Sequence, residues 1–151
     1  MHRTSHFLLM LVAIAAFSGI TAGLSAVMAP ERRSVWDGVY SAEQAKRGAA
    51  LYGDYCARCH ANSLTGNESA PALVGDQFNA NWDGVMLVEL FDRIRSSMPQ
   101  DGPGSLSRQQ TADILAYMLS VGQFPAAETP LDPQAVSLEQ IRYESIRPTD
   151  K

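Results

Sequence analysis

Five consecutive residues, Cys56-Ala57-Arg58-Cys59-His60, carry the most specific chemistry in the chain. Two thiols separated by two residues and followed at once by an imidazole form the attachment signature of a c-type haem. Each cysteine can form a thioether to one vinyl group of the porphyrin, and the adjacent histidine is carried under the macrocycle, where its Nε2 can bind the iron. Rival readings run short of ligands or of context. A structural zinc site takes four protein ligands, usually Cys and His, yet the chain has only two cysteines and three histidines, with His2 and His6 near its start. A thioredoxin-like pair belongs beside a βαβ pattern, whereas the residues before Cys56 read as helix and those after His60 as polar loop. A disulfide across two residues closes a very small loop and fixes little of a fold.

The chain around this motif has 151 residues, 46% hydrophobic and 19% charged, which suits one small domain with a leader and a tail. A porphyrin would add apolar area that so small a core otherwise lacks. The net charge of -4, without a long basic run, speaks against a nucleic-acid partner. Residues 1–29 have the composition of a signal peptide: Arg3, an uncharged stretch from Phe7 to Pro30, then the small residues Ser25, Ala26 and Ala29. Cleavage after Ala26 or Ala29 and retention as a membrane anchor are both compatible with these residues, because the uncut run could span a bilayer. Either way the expected location is periplasmic or otherwise extracytoplasmic, which fits covalent haem attachment in bacteria.

The elements that must hold the motif can be read in order. Residues 30–40 form a linker and N-terminal cover, in which Trp36 and Tyr40 either fold back over the domain or shield only its first helix. Ser41 and Gln44 stand in capping-box spacing, so a helix is expected from there to about Tyr52, stopping near Gly53 and delivering Cys56. From Ala61 onward Gly66, Pro71, Gly75 and Asp76 interrupt any period, which predicts a loop able to wrap a cofactor. A second helix is expected from Asn81 or Asp83, with Leu87, Leu90, Phe91 and Ile94 on one face. It ends before Pro99, which leaves Met98 on a loop. Met86 and Met118 fall in helical apolar patterns, where methionine usually fills core space. Ser107 and Gln110 form a second capping box for a last helix, with Gly122 as its C′ residue. Residues 125–151 read as a Pro-containing tail over the domain of residues 41–124, with a weakly helical patch around 136–141. No alternating strand pattern appears.

From about Val35 to Phe124 the chain resembles a class I c-type cytochrome: Gly48-Ala49-Ala50-Leu51-Tyr52 before the motif, Ala70-Pro71-Ala72-Leu73 after it, then Met98-Pro99, and Ile114-Leu115-Ala116-Tyr117-Met118-Leu119 near the end. It is further similar to the small cytochromes and cytochrome domains associated with quinoprotein alcohol dehydrogenases that use pyrroloquinoline quinone. The resemblance implies an all-α, cytochrome c-like fold of three main helices plus loops around one haem c, covalently held by Cys56 and Cys59. It implies His60 and Met98 as iron ligands, the Pro71 carbonyl accepting the other ring N–H of His60, and Trp82 either donating to a haem propionate or packing in the core. Gly48 and Tyr52 would meet the helix of Tyr117. The long tail after Phe124 departs from the minimal fold.

The function expected on these grounds is single-electron transfer. Iron bound by both His and Met has no open position for substrate, and the thioether raises its potential. The partners would be redox proteins such as a quinoprotein dehydrogenase or a terminal oxidase. A fixed cytochrome subunit of a larger dehydrogenase complex would share this chemistry. A peroxidase-like haem enzyme needs a releasable sixth site and polar distal groups, and without the leader His60 is the last histidine left to supply them.

Overall fold

The computed structural model describes residues 32–149, and the expected leader lies outside them. Ser41 starts the first helix as its type predicts: its hydroxyl accepts from the Gln44 N–H, and α1 runs Ala42–Tyr55. Gly53 does not stop it, since the glycine meets no neighbouring group and the helix passes through. A one-residue break at Cys56 separates α1 from the single turn α2, Ala57–His60. The expected loop then holds an additional short helix, α3 (Asp76–Trp82). The next helix, α4, spans Leu87–Ser97 and begins after Met86, later than Asn81 or Asp83 would have started it. The last long helix, α5 (Arg108–Val121), opens on Ser107 with both halves of the capping box in place. Its end differs from expectation: Gly122 has φ -70° and ψ 2°, and the left-handed turn is taken by Gln123 at φ 65°.

The amphipathic faces of α1, α4 and α5 enclose one core. Leu87, Leu90, Phe91 and Ile94 line the inner face of α4, and α5 is buried from Thr111 to Ala116 and again at Met118 and Leu119. α1 crosses α5 so closely that a Cβ on Gly48 would stand 1.8 Å from the Asp113 carbonyl oxygen and 2.9 Å from the Tyr117 Cβ. No side chain but hydrogen fits there. Beside this contact the Tyr52 and Tyr117 rings lie 5.4 Å apart, and the Arg47 guanidinium reaches the nearly buried Asp113 carboxylate at 3.0 Å.

Residues 125–149 are built into this core. Leu131, Leu138, Ile141 and Tyr143 are buried with the helices. Burying a side chain the size of Leu or Ile is worth about 1.5–3 kcal/mol, so these residues together contribute on the scale of a small domain's whole stability. A single turn, α6 (Ala135–Leu138), sits slightly ahead of the expected patch and leads to β2 (Ile141–Arg142). β2 pairs in parallel with β1 (Arg33–Ser34), a two-residue ladder that no alternation announces. Trp36 and Tyr40 do fold over the domain: the Trp36 indole N–H donates to the Glu144 carbonyl at 2.8 Å, and the Tyr40 hydroxyl to that of Phe124 at 2.7 Å.

Gln44 explains how the tail is fixed. Its side chain does not return to Ser41 as a capping box requires. It is fully buried, donates to the Leu131 carbonyl at 3.0 Å and accepts from the Leu131 N–H at 2.6 Å. One amide thus satisfies both backbone groups of a buried loop residue. No helix among the described residues is long and apolar enough to cross a membrane.

Candidate functional site: the Cys56–His60 turn and the Met98 loop

The break after α1 gives the motif its geometry. The N–H groups of Cys59 and His60 both return to the Cys56 carbonyl, at 3.1 and 2.9 Å, which folds the five residues into one tight turn. Both thiols are free and half-buried. Burial, with a smaller contribution from Cys59 beside it, pushes the Cys56 thiol up to about 11. The attacking thiol of a redox pair is ordinarily lowered, and Cys56 is shifted the other way. Among the described residues no three His, Cys, Asp or Glu side chains gather into a metal site, and a zinc reading has no support there.

His60 is buried, and its Nδ1 lies 2.8 Å from the Pro71 carbonyl oxygen. A carbonyl can only accept, so Nδ1 carries the proton, and in the neutral ring Nε2 keeps its lone pair. This is the arrangement in which an imidazole binds a metal with its other nitrogen held in place. The loop that brings Pro71 round is itself fixed by the motif: the Gly66 N–H donates to the His60 carbonyl and the Tyr52 hydroxyl to that of Ala61. Ala61 and Leu64 both take positive φ, at 63° and 61°, which turns the chain sharply back. Leu64 is wholly buried beneath the turn.

Met98 caps α4 in extended conformation, φ -122° and ψ 150°, outside the helix as the following proline requires. It is half-buried against the core. Met118 is a core residue of α5, whereas Met86 stands just ahead of α4, not within a helix, and bridges to Arg142. The exposed Arg58 of the motif pairs with Asp101 at 2.5 Å, and this contact lays the loop after Met98 alongside the α2 turn. Trp82 ends α3, half-buried, its ring 6.1 Å from that of Phe78. No protein group among the described residues accepts from its indole N–H. Since no sealed side-chain nitrogen lacks a partner, that N–H opens to the outside of the protein.

These residues fit a haem. Two thiols and an imidazole with Nε2 free lie on one turn, while Ala57, Leu73, Val74 and Met98 are apolar yet only partly covered by protein. Two surface clefts, one lined by Asp76, Asn79 and Asp83 with Ser145, the other by Ala42, Ala45, Ala49 and Lys46 with Tyr117, include none of the motif residues. The structure therefore brings Cys56, Cys59, His60 and Pro71 into one assembly and joins the Met98 loop to it through Arg58. Trp82 stands on a separate helix, and its position depends on the tail.

Helices α1, α4 and α5 together with a Cys-X-X-Cys-His turn define a c-type cytochrome of all-α, cytochrome c-like fold. Residues 43–118 match the family described as cytochrome C oxidase, cbb3-type, subunit III, and the chain belongs to that family. Among solved structures it is similar to the sulfane dehydrogenase SoxCD from Paracoccus pantotrophus, at 25% identity and a TM-score of 0.46, over 72% of this chain and 62% of that one. The chain thus spans less than two thirds of that relative's length. No curated protein matches.

Proposed function

We propose that this cytochrome carries one haem c, bound through Cys56 and Cys59, and passes single electrons between redox proteins, with His60 and Met98 as the residues that would hold the iron. The observation that carries the reading is the His60 Nδ1 bond to the Pro71 carbonyl, because it orients the ring and leaves Nε2 available to bind a metal. The haem would supply the ferric–ferrous couple. The protein's own part is to orient His60 through Pro71, to present the soft sulfur of Met98 from a loop tied to the motif by Arg58 and Asp101, and to offer the Trp82 N–H to a propionate. His60 and Met98, if both held the iron, would leave no position for substrate, and His60 is the one histidine among the described residues. Both features favour a carrier over a peroxidase.

The family name and the SoxCD title support redox partners of the oxidase or dehydrogenase kind, with a quinoprotein dehydrogenase and a terminal oxidase as the two classes to test. The chain would act outside the cytoplasm, free or tethered through residues 1–29, as a mobile carrier or as a fixed subunit of such a complex. Met98→Ala tests the ligand assignment. The reduced parent should bind carbon monoxide slowly or not at all, and the variant at once, with a lower reduction potential. If the parent binds the gas immediately and the variant changes neither that nor the potential, the sixth position is open and the carrier reading falls.

A further inference from the structure

Helix α3 cannot place itself. It has seven residues, begins at Gly75 without a side-chain cap, and is far below the roughly 12–15 residues at which isolated helices become even marginally stable. Its anchors converge on residues 142–145 of the tail. The Tyr143 hydroxyl donates to Asn79 Oδ1 at 2.6 Å, one turn before Trp82. The Gly84 N–H donates to the Tyr143 carbonyl and the Tyr143 N–H to that of Val85, each at 2.8 Å, which closes the turn after α3 against the tail. Ser145 donates from both its N–H and its hydroxyl to Asp83 Oδ1, at 2.7 and 2.8 Å, while the Arg142 guanidinium donates to the Gly84 carbonyl. The buried residue of α3, Phe78, packs its ring edge-on to Tyr143 at 5.8 Å and leans on Trp82 at 6.1 Å. Tyr143 in turn rests on Phe124 at 5.3 Å.

We infer that Tyr143 is a positioning residue for the haem pocket: through Asn79 and Phe78 it sets where α3 presents the Trp82 indole to the cofactor. The inference rests on the proposed role of Trp82. In its terms the tail is part of the redox site, acting through α3. Removing the Tyr143 hydroxyl leaves the buried ring and its Phe78 contact in place but frees Asn79, so α3 keeps only that ring contact and the bonds at its C-terminal turn, and Trp82 shifts.

The two tryptophans of the chain allow this to be read directly in the haem-loaded protein labelled with 5-fluorotryptophan. The Trp82 fluorine line is assigned by its disappearance in Trp82→Phe, and its displacement between the oxidised and reduced states reports its distance and angle to the iron. Tyr143→Phe should change that displacement and move the reduction potential, and Asn79→Ala should do the same. The double variant should go no further than either single change, because both remove one bond. If both single variants melt earlier yet leave the Trp82 displacement and the potential at parental values, Tyr143 is a purely structural residue and the inference is overturned. If the parent's Trp82 line does not respond to oxidation at all, the role of Trp82 fails first and the inference fails with it.

Discussion

The α1–α5 crossing and the wrap formed by residues 61–86 are held by different means. At the crossing, backbone meets backbone: Gly48 lies against the Asp113 carbonyl with no space between them, and Tyr52 and Tyr117 flank the contact. The wrap has only Leu64 and Phe78 fully inside, two non-glycine residues at positive φ, and a short helix fastened by the tail. A crossing of that kind is stable by packing alone. The wrap takes its shape from what it is tied to, the His60 turn at one end and residues 142–145 at the other. A site that must accept a large flat group is therefore supported from its two margins, while the packed crossing reaches it only through the Tyr52 hydroxyl and the end of α1.

The sharpest way to break this contrast is Gly48→Ala. A methyl placed 1.8 Å from a backbone carbonyl has no rotamer to escape into, and overpacking of this severity should reach or exceed about 3 kcal/mol, the upper end of the usual range. Urea unfolding of the oxidised protein measures it. A smaller loss is expected from Gln44→Ala, which strands the buried N–H and carbonyl of Leu131 and should cost about 2–3 kcal/mol while the covalent haem is retained. Should Gln44→Ala prove the costlier of the two, the tail and not the crossing is the rigid frame.

The smallest effect is a dependence on alkaline pH. Burial raises the Tyr143 phenol from 10.0 to about 12, with Asp83 adding to the shift, and burial raises Tyr40 and Tyr52 as well. The folded state favours the neutral phenol, so this contribution is fully present below pH 10 and is lost as pH climbs through about 12. Denaturant midpoints should be level from pH 8 to 9.5 and fall above 10, less steeply in Tyr143→Phe. A midpoint that falls equally in the parent and in that variant would remove the tail from the account.

What the chain's residues announced was local. Ser41 and Ser107 each marked a helix start because the hydroxyl and the N–H it satisfies are three residues apart, and Met98 was placed outside a helix by the proline beside it. The meeting of Gly48 with the Tyr117 helix was legible through the resemblance. α3 was missed because Gly75 and Asp76 read as loop, and what stabilises the helix arrives from Tyr143 and Ser145, far along the chain. The start of α4 was set too early for the same reason: Asp83, a good cap by type, spends its carboxylate on Ser145. Gln44 misled in the opposite direction, since its spacing to Ser41 suited a cap and its burial gave it to Leu131. Long-range partners leave no periodic trace, and a two-residue strand has no alternation to detect.

The pairing of β1 with β2 also orders events in time. The Arg33 N–H donates to the Gln140 carbonyl and the Trp36 indole N–H to that of Glu144, 108 positions away, so the first residues of the folded unit wait for almost the last before these groups are paired. Closing so long a loop has an entropic cost that must be met before the contact returns anything, and contacts of this span slow folding. The Cys56–His60 turn, by contrast, is complete within five residues and can be read on a chain that has not yet closed. The turn that would take the haem and the closure by the tail therefore differ sharply in span, and the turn does not depend on the tail's contacts to form.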